Sequence, residues 1–250
     1  MKNDRKINDN QILILEADGK VDKKHGFGFL IQKRLQEFNI KSSKINLPKF
    51  ASKLETLPKK PMIISGGMTE VTSDVDWIIQ SKKFIKKIIV NNQKSSFEKK
   101  IPLFGICFGA QLIAESYMKG SVTFLDDPEI GTTKVIIEKQ HPLFFGYNDD
   151  FLGYTFHYNQ ILPKKEFDIL STTKHKGHHF IQVFEVPNSL CFGVQFHPEF
   201  LFEEFLTLMK TYKQLIIELG LDYQDIIKNN TKEIDSNAKF LLNFVKHVLD

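Results

Sequence analysis

The stretch Ile101-Pro102-Leu103-Phe104-Gly105-Ile106-Cys107-Phe108-Gly109-Ala110-Gln111 decides the fold. Its first part, 101–104, is an apolar run of strand length. Over 110–118, apolar side chains recur at helical spacing, at Leu112, Ile113, Tyr117 and Met118. A strand that passes straight into a helix must turn sharply. The residue at the apex, Cys107, is therefore expected in strained backbone geometry with its side chain presented outward. Gly105 and Gly109, two positions to either side, relieve the crowding of such a turn. The N-terminus of the helix that follows favours negative charge where the thiol sits.

Outward from this stretch the chain alternates. A buried strand at 11–15 precedes a helix near 27–38, a strand around Ile63 precedes a helix at 75–89, and then comes the cysteine turn. Strands interleaved with helices argue for an α/β three-layer sandwich with a mostly parallel central sheet covered on both faces. Active sites in such sheets lie beyond the carboxyl ends of the strands. Between Thr133 and Phe196 the pattern becomes strand-rich, with runs at Val135, Tyr154, Ile169, Ile181 and Phe192. These are expected to form the outer part of the sheet and a hairpin. Helical periodicity returns at 202–219 and 237–249, with Ser236 as N-cap of the second. The chain thus divides into a polar segment 1–10, one domain over 11–200, and a C-terminal helical extension 201–250 packed on that domain. A dimer surface is the alternative for the apolar stripe Phe240, Leu241, Phe244, Val245 and Val248.

Further along, the chain reads Gly193-Val194-Gln195-Phe196-His197-Pro198-Glu199, with His197 ninety positions after Cys107. The run 190–196 has the β-branched and aromatic character of a buried strand. Pro198 cannot continue a ladder and keeps His197 extended. His197 and Glu199, two apart, then leave the chain on the same side. Glu199 accepts from one ring nitrogen while the other faces Cys107. Nucleophile, base and orienting carboxylate are the set needed for cysteine-based acyl transfer. Met62-Ile63-Ile64-Ser65-Gly66-Gly67 is a strand running into two glycines. Backbone N–H groups of Gly66 and Gly67, with the amide of Phe108, are the candidate oxyanion donors.

These residues resemble those of the class I, triad-type glutamine amidotransferases. Residues 105–111 are similar to that family's nucleophile motif, 195–199 to its His-Pro-Glu motif, and 65–67 to its oxyanion strand. The resemblance runs from about Ile12 to Phe200 and includes Glu129-Ile130-Gly131 and Phe156-His157-Tyr158-Asn159. Stand-alone GMP-synthase-like members look closest. The resemblance implies a flavodoxin-like amidotransferase domain that opens the γ-amide of glutamine through a Cys107 thioester, with no cofactor. It also implies substrate contacts from Gln111, His157 and Asn159. Asn159 stands near where related members carry an acidic residue that recognises the substrate α-amino group. Met68 stands where a proline commonly follows the two glycines.

The chain has no Gly-x-x-x-x-Gly-Lys-Ser/Thr loop. An amidotransferase of this kind therefore needs a synthase subunit in trans. The alternatives are a stand-alone γ-glutamyl hydrolase or peptidase, and a weakly active binding module of the same fold. Two cysteines in 250 residues fit a reducing compartment better than a disulfide framework, and Cys191 reads as a small buried hydrophobe. No signal peptide or membrane-length apolar run is visible, so a cytoplasmic location is expected. The net charge of +4 is spread over scattered lysines. Lys82, Lys83, Lys86 and Lys87 read as a solvated helix face, not a nucleic-acid site. His175, His178 and His179 fall in a charged stretch with no ligand framework, so no metal site is expected. Glutamine or a γ-glutamyl compound is the expected ligand. A synthase subunit and a homodimer are the partners left open.

Overall fold

The structure is a computed structural model that describes residues 12–17, 26–175, 178–234 and 238–249. The expected polar segment 1–10 and the Ser236 cap lie outside the described residues. Among those residues one sheet has the order β2-β1-β3-β4-β9-β8-β7-β5-β6. β1 (Ile12–Glu16), β2 (Ser42–Asn46), β3 (Met62–Ile64), β4 (Leu103–Ile106) and β9 (Cys191–Val194) pair in parallel. β5 (Val122–Ile137), β6 (Asp150–Ile161), β7 (Asp168–His175) and β8 (His178–Val186) extend the sheet through antiparallel pairings. The parallel strands are nearly all apolar and fully buried, as a sheet covered on both faces requires. β2 is the exception. Its Ser-Ser-Lys-Ile-Asn sequence is half-buried throughout, because it forms the sheet edge.

α1 (Phe27–Glu37) covers one face, and α2 (Leu47–Phe50), α3 (Asp76–Gln93) and α4 (Phe108–Tyr117) cover the other. On α3, Ile78, Phe84, Ile85, Ile88 and Ile89 are buried, while Lys83, Lys86 and Lys87 face solvent. The expected helix at 202–219 breaks at Tyr212 into α5 (Phe202–Thr211) and α6 (Lys213–Glu218). α7 (Tyr223–Asp225) runs into a wide turn, Ile226–Asn230, that crosses β5. The three histidines prove to belong to the β7–β8 hairpin and not to a loop between elements. Among the described residues no group of metal-ligating side chains gathers, and no helix is long and apolar enough to cross a membrane.

α8 (Lys239–Leu249) completes the α1 layer. Its stripe Phe240, Leu241, Phe244, Val245 and Val248 is buried against the sheet of the same chain, with Phe244 and Phe104 ring centroids 4.7 Å apart. The apolar stripe is thus covered without a second copy. Phe244→Leu is expected to lower stability by about 1–2 kcal/mol, read from urea unfolding, since a well-packed ring is replaced by a smaller side chain. The start of α5 is anchored to α1. Buried Arg34 and its neighbour Lys33 reach Glu204 at 3.0 and 2.7 Å, and Glu204 accepts from Leu201 N at 2.9 Å. Two residues upstream of Leu201 lies Glu199.

Candidate active site

Cys107 sits between β4 and α4 with φ 48° and ψ −103°. This is the strained apex expected from the sequence, since a non-glycine residue with positive φ costs of order 1–3 kcal/mol. Three glycines make the turn feasible. A Cβ on Gly105 would stand 2.3 Å from the Gly109 backbone, one on Gly109 2.3 Å from the Ile64 carbonyl oxygen, and one on Gly193 2.1 Å from the Phe184 ring. Strand, elbow and helix therefore meet at the closest approach their backbones allow. Cys107 N donates to Val194 O at 2.8 Å, tying the apex to β9, the strand that leads to His197.

His197 N donates to Tyr154 O at 2.7 Å, so β6 holds the backbone after β9. The His197 ring lies on Phe27, with centroids 5.5 Å apart, and meets Phe200 edge-on at 5.3 Å. Nδ1 is 2.8 Å from Glu199 Oε1, and both residues are fully buried. The two-residue spacing places them on one side, as expected. Burial pushes the ring toward its neutral form. Glu199 and then Cys107 outweigh burial and raise the ring to about 10. Nε2 has no hydrogen-bond partner among the described residues. The Cys107 Sγ lies 3.8 Å from the Phe156 carbonyl oxygen, a long contact in which the thiol is the donor. Cys107 nevertheless acts on the ring at short range, through charge and side-chain contact that both favour its protonated form.

Ser65 has a role that its place in the sequence does not announce. Its buried hydroxyl accepts from Ala17 N at 2.9 Å and donates to Gly66 O at 2.8 Å. Because the peptide is planar and trans, fixing the Gly66 carbonyl also fixes the Gly67 N–H in the opposite direction. That N–H donates to nothing among the described residues. Phe108 is the first residue of α4, so its N–H has no partner within the helix. The two residues adjoin, since a Cβ on Gly67 would lie 3.5 Å from Phe108 Cγ. Gly66 leaves room for His197 Cε1 and Phe27, each 3.0 Å from where its Cβ would be.

Cys107 opens into a small cavity of about 20 Å³ lined by Gly67, Met68, Thr69, Gln111 and residues 156–159. That is room for about one water, so a larger ligand requires the lining to move. Gln111, His157 and Asn159 all line it, but their polar atoms are differently engaged. Gln111 Nε2 makes only a long contact, 3.4 Å, with Gln195 Oε1. Both His157 nitrogens are taken, by Asn159 O and by Glu129 Oε2, each at 2.8 Å. Asn159 Nδ2 donates to Glu70 Oε2 at 2.7 Å. Burial and the neighbouring Glu70 raise the Tyr158 hydroxyl above its ordinary range. Glu70 gives no signal in the sequence because it follows the Gly66-Gly67 turn, far along the chain from residue 159.

Fold and site define an α/β protein with a buried cysteine on a strand–turn–helix elbow. The chain belongs to the glutamine amidotransferase class-I family, whose sequence profile matches residues 20–211. It is 30% identical over 189 residues to a glutamine-hydrolyzing GMP synthase of Caldanaerobacter subterraneus, covering 75% of this chain and 32% of that one. It is also 29% identical over 140 residues to a subunit of the glutamine-hydrolyzing GMP synthase of Saccharolobus solfataricus, covering 55% and 66%. The chain therefore spans less than two thirds of the length of these curated relatives. A glutamine amidotransferase from Thermotoga maritima superposes with a TM-score of 0.74 at 17% identity, over 96% of this chain and 98% of that one. One from Methylobacillus flagellatus gives 0.68 at 15%, over 96% and 93%. These likenesses confirm the three-layer fold.

Proposed function

We propose that the chain hydrolyses glutamine through a γ-glutamyl thioester on Cys107 and releases ammonia for a synthase carried on a separate chain. The observation that carries this reading is the buried Cys107 apex beside a His197–Glu199 pair at 2.8 Å. His197 first takes the thiol proton of Cys107, and the surroundings that hold the ring toward its protonated form favour that transfer. The Cys107 sulfur then forms a bond to the carbonyl carbon of the side-chain amide, and negative charge develops on the carbonyl oxygen. The N–H groups of Gly67 and Phe108 receive that charge. As the carbon–nitrogen bond breaks, His197 gives its proton to the leaving nitrogen, and ammonia departs. His197 then takes a proton from water, hydroxide attacks the thioester carbon, and the carbon–sulfur bond breaks to yield glutamate.

Glu70 supports glutamine as the substrate. It brings a carboxylate to the amide of Asn159, so the negative charge that Asn159 itself lacks is present beside the cavity. The Saccharolobus relative, a protein that is one subunit of its synthase, supports ammonia delivery in trans. Glutamate release by the purified chain, from glutamine and from γ-glutamyl peptides, tests the reading. Release from peptides in preference to glutamine would replace it with a γ-glutamyl peptidase. Ser65→Ala is expected to lower kcat about tenfold with KM little changed, because the Gly67 N–H loses its orientation and not its presence. Steady-state kinetics beside the parent check this.

A further inference from the structure

Behind the cavity wall lies a buried polar cluster to which the proposed reaction assigns no part. Glu129 on β5 is 3% exposed, yet its carboxylate meets three donors. Thr133 Oγ1 donates to Oε1 at 2.7 Å, while Gln182 Nε2 and His157 Nε2 each lie 2.8 Å from Oε2. A carboxylate among donors only is ionised. Burial alone would push Glu129 up, but His157, Thr133 and Gln182 together hold it below its ordinary range.

His157 is held at both ring nitrogens. Nδ1 faces the Asn159 carbonyl, which can only accept, so Nδ1 carries a hydrogen. Nε2 lies 2.8 Å from Glu129 Oε2. The ring, 3% exposed, thus stands fixed in the wall of the cavity that Cys107 opens into. Other polar groups meeting this wall are Cys107 and Gln111 from the elbow and helix, and Glu70 through Asn159. β5 is itself pinned from outside. Gly131 has φ 123°, a Cβ there would meet Asn230 O at 2.6 Å, and Lys232 N donates to Thr132 Oγ1 at 2.9 Å. This accounts for the stretch Glu129-Ile130-Gly131, in which the acid faces inward and the glycine admits the crossing turn.

We propose that Glu129 is a positioning residue for glutamine hydrolysis, acting through the His157 ring that it pins against the cavity wall 156–159. The proposal rests on the glutaminase reading above. Residues 156–159 carry both the carbonyl that meets the Cys107 thiol and the Asn159 amide that meets Glu70. Displacing such a wall by about 1 Å costs up to about a hundredfold in rate.

Two measurements test it on the full chain. Glu129→Gln keeps the side-chain shape and removes the charge. Amide exchange over 156–159 is expected to speed up about tenfold in that variant. Its kcat/KM for glutamine should fall about tenfold relative to the parent, mainly through KM. Exchange over 156–159 equal to the parent's overturns the proposal. So does a loss of thermal stability with KM unchanged, which is what a merely structural role gives. A parent that releases no glutamate overturns the glutaminase reading instead, and amide exchange still decides the positioning of the wall.

Discussion

Cys107→Ala protein is expected to lose glutamate release from glutamine by at least about four orders of magnitude. Removing the nucleophile of a catalytic unit costs about as much as removing the whole unit. No other group can take its place. Cys191 is fully buried in β9, and burial pushes its thiol up to about 12. The N–H groups of Gly67 and Phe108, the proposed oxyanion donors, can form no bond to carbon. Alanine keeps the Cβ at the strained apex, so the fold should persist, and a thermal unfolding curve close to the parent's separates loss of chemistry from loss of structure. Equal activity in variant and parent would remove Cys107 from the mechanism. It would also return the chain to the binding-module reading of this fold.

Gly109→Ala is expected to destabilise the protein by about 3 kcal/mol or more, at the upper end for overpacking. The added methyl would stand 2.3 Å from the Ile64 carbonyl oxygen and 2.9 Å from Ile64 Cβ, on the central strand β3. Backbone cannot yield there as a flexible side chain would. Ile64 pairs with Leu15 on one side and Gly105 on the other, so a shift would strain two ladders. Urea unfolding of parent and variant measures the difference. A change below about 0.5 kcal/mol would mean that α4 and β3 can separate, and that the elbow is not close-packed.

The contrast between these two positions shows how sequence and structure divide the information. Both are legible in 101–111, because a strand–glycine–cysteine–glycine–helix pattern has few geometric solutions. The His197–Glu199 pair is equally legible, since extended backbone fixes the relative direction of residues two apart. β2 is not. Its polar Ser42-Ser43-Lys44 lacks the apolar run that marks a buried strand, and it belongs to the sheet only because β1 offers an edge. His157 was expected to touch substrate, yet both its nitrogens are committed within the protein. Sequence shows the histidine but cannot say which partners surround it.

The sequence by itself determined the α/β class, the family, and the cysteine turn and His-Pro-Glu segment that follow parallel strands. Those features depend on local periodicity and on residues close together in the chain. Tertiary structure alone decided that Ser65 orients the Gly66–Gly67 peptide, that Glu70 reaches Asn159, and that Glu129 holds His157. The last two contacts join residues 89 and 28 positions apart. They depend on strand register and on the path of the turn after Gly66 and Gly67, and no local pattern encodes either.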